Sequence, residues 1–208
     1  MQHLIIGKDG RRKYVTDPER RAMLTRAAGL DAKTHAFCWV LAATGCRVSE
    51  ALGLTLDSLD GEAQTIVVES LKKRRRGIYR SIPVPKVLID RLREMNDPAP
   101  FPAARFWTWS RMTAYRKVTE VMRMAGIQGP HASPRGLRHG FGVSAIQSGV
   151  PLNLVQRWLG HADMRTTAIY TYAIGPEELS IAARMWAHCS LGNPGQEQPP
   201  HLARTAIF

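Results

Sequence analysis

Two hydrophobic periods run along this chain, and the switch between them divides it. The first is helical. Thr16-Asp17-Pro18-Glu19 offers a capping side chain, a proline for the first turn and acids at the positive end of a helix dipole. This predicts a helix to about Ala28, closed by Gly29. A second helix, from about Ala32 to Ala43, is apolar on most faces, the pattern of a central helix. After Thr44-Gly45, the stretch from Arg47 to Gly53 reads as a third, short helix. The period then shortens to two. Asp60-Gly61 is a turn signal and precedes the β-branched run Thr65-Ile66-Val67-Val68. Lys72 to Gly77 is a basic turn, and a second strand runs from Tyr79 to Val84. The two strands predict a small antiparallel sheet with a cationic hairpin tip.

Helical spacing returns from Lys86 to Met95, followed by a proline-rich loop, Asp97 to Pro102. From Ser110 to Ala125 a basic helix carries Met112, Tyr115, Val118, Val121 and Met122 at three-four spacing. Ser133-Pro134 caps a helix to about Ser148, stopped at Gly149. Pro151 to Leu159, Met164 to about Ala173, and Pro176 to Cys189 complete the helices. The expected fold class is mainly α with a small antiparallel β-sheet (α+β). The expected organisation is an amino-terminal arm over 1–15, one large domain over 16–190 and a disordered tail over 191–208.

Composition adds a partner. Among 208 residues, 29 Lys and Arg face 17 Asp and Glu, a surplus of +12 that suits a polyanion. Cys38, Cys46 and Cys189 form neither a disulfide framework nor a zinc pattern, which points to a reducing compartment. Leu4-Ile5-Ile6 is too short for a signal-peptide core, and the apolar run from Ala36 to Ala43 falls short of the ~20 residues that a membrane span requires. A soluble cytoplasmic protein is expected.

The most chemistry lies in Leu159-Gly160-His161-Ala162-Asp163-Met164-Arg165-Thr166-Thr167-Ala168-Ile169-Tyr170, which sets a histidine nine residues before a tyrosine. Upstream stand Arg47 in TGCRVSEAL and Arg138 in SPRGLRHGF. These groups suit the attack of a tyrosine on a phosphodiester. The non-bridging oxygens repel a nucleophile and gain charge at the transition state. A guanidinium counters both effects and donates two parallel hydrogen bonds. Arg47 and Arg138 are the candidates, with Glu50 one helical turn from Arg47 to anchor it. Tyr170 is the candidate nucleophile. Its phenol ordinarily titrates near ~10, so attack requires a base or strong electrostatic help. His161 can donate to a phosphate oxygen. The deoxyribose 5′ oxygen needs a proton to leave, which Lys72 or Lys73 of the hairpin can supply as general acid. Lys73, Arg74, Arg75 and Arg76, with Arg111, Arg116, Lys117 and Arg123 of the basic helix, form the surface expected to meet DNA phosphates. Tyr172 is the rival phenol. It lies about two hundred degrees round a helix from Tyr170, and the spacing from His161 favours Tyr170.

With TGCRVSEAL, the hairpin lysine, GLRHGF, LGH and the Ile-Tyr-Thr ending in this order, the chain resembles the tyrosine recombinases, or phage integrases, from about Thr16 to Cys189. The resemblance implies their catalytic-domain fold and a site-specific recombination reaction. Tyrosine attacks DNA, a 3′-phosphotyrosyl link forms, and a free 5′-hydroxyl leaves. The bond energy is retained, so neither ATP nor metal nor other cofactor is implied. It implies Arg47 and Arg138 as phosphate clamps, His161 as phosphate donor and Tyr170 as nucleophile. Lys72 or Lys73 is the implied general acid, with Lys72 preferred because it follows the strand. The implied partners are double-stranded DNA, met at the nucleoid, and three further copies of the chain. Four protomers on two sites would pass the helix Pro176 to Cys189 cyclically, its Ile181, Met185 and Trp186 falling near one face.

Two features depart from the family. A histidine usually stands three residues before the second arginine, and here that position is Arg135. An arginine cannot act as a base at ordinary pH. It can add positive charge that lowers the phenol pKa, or contact DNA only. His131 and His139 are nearby substitutes. His139 lies about a hundred degrees round the helix from Arg138 and is expected to pack elsewhere. Secondly, only Met1 to Val15 precede the catalytic part, where most members carry a separate DNA-binding domain, so the chain resembles the short single-domain recombinases. The competing expectation is a catalytically impaired DNA-binding or accessory protein on the same scaffold, with Arg135 as its sign.

Overall fold

The computed structural model of the protein describes residues 5–7, 9–70, 77–95, 103–172, 182–183 and 185–186. Thr16 caps the first helix through its side-chain oxygen, and Glu19 closes the capping box in return. That helix is α1 (Asp17–Ala28), followed by α2 (Ala32–Thr44) and the single turn α3 (Val48–Ala51). A 3₁₀ turn (Leu56–Ser58) leads into β1 (Leu59–Asp60), β2 (Thr65–Glu69) and β3 (Tyr79–Pro83). Then come α4 (Lys86–Met95), α5 (Arg111–Met124), α6 (Pro134–Gln147), α7 (Leu152–Leu159), α8 (Arg165–Ala168) and a closing 3₁₀ turn (Ile169–Tyr172). The fold is mainly helical with one antiparallel sheet in the order β1-β2-β3.

Two elements differ from the expectation. β1 is only two residues long, too short to leave a period in the sequence. The helix expected from Met164 to Ala173 instead tightens to 3₁₀ winding at Ile169. The hairpin cations Lys72 to Arg76 and the loop from Asp97 to Pro102 lie outside the described residues. So does the expected tail helix, apart from 182, 183, 185 and 186, which are helical.

The chain forms two compact units, Met1–Ala173 and Ile174–Phe208. In the first, α2 runs through the larger core, burying Phe37, Val40 and Leu41 beside Met23, Ile66, Ile82, Leu88 and Met122. A smaller core holds Ile5, Tyr14, Val143, Val155, Leu159, Ile169 and Tyr170. The amino-terminal stretch thus packs into the domain, and the Val15 amide donates to Gly136 O at 3.0 Å. No helix among the described residues is long and apolar enough to cross a membrane.

The inner face of the sheet carries a charge among its apolar side chains. Strand alternation turns Arg80 inward beside Ile82, and Val68 pairs with Arg80 across the ladder. The Arg80 guanidinium donates to Glu50 Oε2 at 2.6 Å, Ser70 Oγ at 2.9 Å and Trp158 O at 2.7 Å. Glu50 also accepts from the amide and Nη1 of Arg47, both at 2.8 Å. Burial by itself would raise the Glu50 carboxyl, but the Arg80 hydrogen bond and charge, with Arg47, hold it below the ordinary carboxylate range.

Removing Glu50 leaves buried Arg80 without its counter-charge, so Glu50→Ala is expected to cost about 3–5 kcal/mol. Lys86→Ala, which breaks an exposed pair with Asp90, should cost at most ~0.5 kcal/mol. Urea unfolding followed by tryptophan fluorescence measures both. Because the Glu50 pKa is lowered on folding, its contribution is present above the ordinary carboxylate range and lost as pH falls through the folded value. Equal effects of the two substitutions would contradict the assignment.

Candidate active site

The site grows from the ends of two helices. α2 stops at Gly45 in the left-handed conformation, φ 59°, where a Cβ would lie 2.6 Å from the Phe141 ring. α7 stops at Leu159, capped by Gly160. The carbonyls exposed there are Gly45 O and Leu159 O. Arg138, projecting from α6, donates Nη1 to the first at 2.7 Å and Nη2 to the second at 2.6 Å. Only 9 % of Arg138 is exposed. Burial, and then the charge of Arg47, lower its pKa to about 10, so it stays charged at neutral pH.

Arg47 follows Gly45 as the extended residue that opens α3, held by Glu50 with its side chain 30 % exposed. His161 follows Gly160. Its Nδ1 lies 2.9 Å from Oγ1 of buried Thr167, and its ring stacks beside Tyr170, 18° from parallel. Burial, then Arg138 and Arg47, push the His161 pKa down to about 3, leaving a neutral imidazole with one N–H.

Tyr170 sits in the closing 3₁₀ turn with 1 % of its surface exposed. Its ring lies against α6 where Gly142 lacks a side chain, and a Cβ there would stand 2.6 Å from the ring. The Tyr170 oxygen is 3.1 Å from His139 Nδ1. Burial outweighs the pull of Arg138, Arg135 and Arg47 and leaves the phenol pKa above its ordinary value.

One cleft of about 490 Å³ is lined by Arg47, Arg135, Arg138, His139, His161 and Tyr170, with Ser49, Arg111 and Tyr115. The expectation that His139 packs elsewhere is corrected here. The angle round α6 separates it from Arg138 as foreseen, but the turn that carries Tyr170 packs against α6 and brings the phenol oxygen to His139. His131 instead pairs with Glu19 at 3.2 Å. Lys72 and Lys73 lie outside the described residues, as do Arg74, Arg75 and Arg76. Of the basic helix, Arg111 lines the cleft, whereas Lys117 donates to Thr34 and sits over the Trp109 ring. Arg123 is paired with Glu120, and Arg116 is exposed and does not line the cleft.

Sequence reasoning passed over Arg80, Thr167 and the contact role of His139. Arg80 left a signal, an arginine at an inward position of an alternating strand. Thr167 and His139 left none, because their partners arrive from other segments.

The sequence profile of the phage integrase family matches residues 13–174. Tyrosine recombinase XerD of Mycobacterium leprae (strain TN) is 32% identical over 187 residues, covering 78% of this chain and 58% of its own length. The chain therefore spans little more than half of that relative. Among solved structures, XerH site-specific recombinase bound to palindromic difH substrate in a post-cleavage complex gives a TM-score of 0.70 at 23% identity, over 84% of this chain and 53% of its own. The catalytic domain of bacteriophage HP1 integrase gives 0.61 at 21% identity, over 88% of this chain and 98% of its own.

The two cleft histidines make stability acid-sensitive. Their folded pKa values, about 4 for His139 and about 3 for His161, lie below the ~6.5 of an unfolded histidine. The unfolded chain therefore binds protons that the folded one refuses, and stability is full above ~6.5 and falls as pH drops towards the folded values. The thermal midpoint should decline between pH 6.5 and 5, where carboxylates hardly titrate. His139→Asn combined with His161→Asn should flatten that decline; an unchanged slope would contradict the cause.

Proposed function

Because the chain belongs to the phage integrase family, matched over residues 13–174, we propose that it is a site-specific DNA recombinase that cuts and rejoins double-stranded DNA through a covalent 3′-phosphotyrosine at Tyr170, exchanging strands between two sites. The observation that carries the reading is the convergence of Arg47, Arg138, His161 and Tyr170 on one cleft.

A scissile phosphate entering the cleft meets Arg47 and Arg138, whose charges bind its non-bridging oxygens and answer the charge that builds there in the transition state. Two of the Arg138 hydrogen bonds are already spent on backbone carbonyls, so its orientation is fixed before substrate arrives. When the Thr167 hydroxyl donates to Nδ1 of neutral His161, the Nε2–H faces the phosphate as a further donor. The Tyr170 oxygen attacks phosphorus, the P–O5′ bond breaks, and the leaving oxygen takes a proton, a role proposed for Lys72 or Lys73. Attack by water is replaced by attack of a held nucleophile, and reversal of the same steps rejoins the strand. XerH, similar in fold, is seen bound to its difH substrate after cleavage, which supports the reaction class. Assembly of four protomers passing the tail helix, and action at the nucleoid, belong to the same proposal. The competing reading, a DNA-binding protein without cleavage, draws on Arg135 standing in the cleft.

A nicked suicide substrate carrying the cognate site should give a slow-migrating covalent band with wild type and with Tyr172→Phe, and none with Tyr170→Phe. A band from Tyr170→Phe would refute the nucleophile. No band from any variant, with specific DNA binding retained, would favour the non-cleaving reading. DNA affinity should fall steeply with salt, each phosphate contact contributing about 0.9 to the log-log slope. Arg111→Ala should lower that slope by one such contact, as measured by fluorescence anisotropy across salt concentrations.

A further inference from the structure

Arg135 occupies a position that offers no base, yet its side chain is not idle. Its Nε–H donates to His139 Nε2 at 3.3 Å, and the opposite ring nitrogen, Nδ1, lies 3.1 Å from the Tyr170 oxygen. A neutral imidazole has one N–H and one lone pair. If the guanidinium takes the lone pair at Nε2, the proton must sit on Nδ1, and the contact with tyrosine acquires a direction. We propose that Arg135 fixes the Nδ1–H tautomer of His139, so that His139 donates a hydrogen bond to the Tyr170 oxygen and stabilises the phenolate instead of abstracting its proton. This rests on Tyr170 being the nucleophile. Arg135 is then a positioning residue, acting through the imidazole that touches the reacting oxygen.

The surroundings keep the imidazole in the required charge state. Arg135 and Arg138 face it from α6, Lys13 from the amino-terminal stretch, His161 from the end of α7 and Tyr170 from the closing turn. Burial first, then Arg135, Arg138 and Lys13, lower its pKa to about 4. At neutral pH it is an uncharged donor and a very weak base. The step balances without it as acceptor. The Tyr170 O–P bond forms, the P–O5′ bond breaks, the leaving oxygen gains a proton from the general acid, and the phenol proton passes to solvent water. Arg138, Arg135 and Arg47 offset by charge part of what burial of the phenol costs. The usual histidine at the position of Arg135 and the arginine found here thus solve one problem by opposite means: the first takes the proton, the second makes its loss easier.

Two measurements test this. In the full chain labelled with ¹⁵N-histidine, long-range ¹⁵N–¹H correlation at pH 7 reports which ring nitrogen carries the proton, with His139→Asn identifying the signal. The expected result is Nδ1–H with a bare Nε2, and a shift towards Nε2–H in Arg135→Met. Nε2–H in the wild type overturns the proposal. This arm needs no turnover, so it decides the hydrogen-bond assignment even if Tyr170 fails its own test. The second arm is single-turnover covalent capture on the suicide substrate. His139→Leu, which removes the donor, should slow capture by about 10²–10³-fold. His139→Asn places an amide N–H where Nδ1 stood and should restore most of that loss, since an amide donates but is no base. The wild-type rate should climb with pH from 7 to 9 as phenolate forms. A rate flat over that range, with His139→Asn as slow as His139→Leu, would identify a base and overturn the proposal.

Discussion

The buried guanidinium of Arg138 is the constraint on which the cleft rests. A charge this far from water must have its donors satisfied, and the two carbonyls it finds are the negative ends of α2 and α7. One cation therefore sets the spacing of two helix termini. Arg47 stands two residues past Gly45, and His161 two residues past Leu159. The groups proposed to hold phosphate are thus positioned by short, cap-fixed stretches of backbone instead of by long loops.

A pair of salt bridges repeats the logic one level down. Glu50 sits between Arg47 and Arg80, and Arg80 reaches Trp158 O near the end of α7. The sheet contributes no side chain to the chemistry described, but it anchors the carboxylate that holds Arg47. Three guanidiniums share this region with one buried carboxylate, which leaves an excess of positive charge. It lowers the pKa values of Arg138, His139 and His161 beyond what burial does. A phosphate entering as proposed would relieve that repulsion, linking its binding energy to the protonation state of the site.

Much of this was legible in the sequence because it is local. Caps at Thr16 and Ser133, glycines at 45 and 160, and the apolar breadth of α2 are written in a few adjacent residues each, and they bound the elements that carry Arg47, Arg138 and His161. What escaped depends on crossings. A helical wheel gives the angle between Arg138 and His139 but not which segment will pack against α6 and meet His139. The 3₁₀ winding at Ile169 escaped for a similar reason: Thr, Ala, Ile and Tyr fit either winding, and packing against α6 decides. Arg80 is a different case. Its inward position is readable from strand alternation, but its partners Glu50 and Trp158 come from other elements.

Gly142 has no functional group, lies within a helix and touches no phosphate in the reading developed above. Its role is the space that it leaves for the Tyr170 ring. An alanine scan, which treats glycine-to-alanine as the mildest of changes and helix interiors as its safest ground, would score this position among the most sensitive in α6. The scan would then list it beside Arg138 and His139 as though it did chemistry. A functional map drawn from loss of activity alone thus records room for the proposed nucleophile and that nucleophile itself in the same ink.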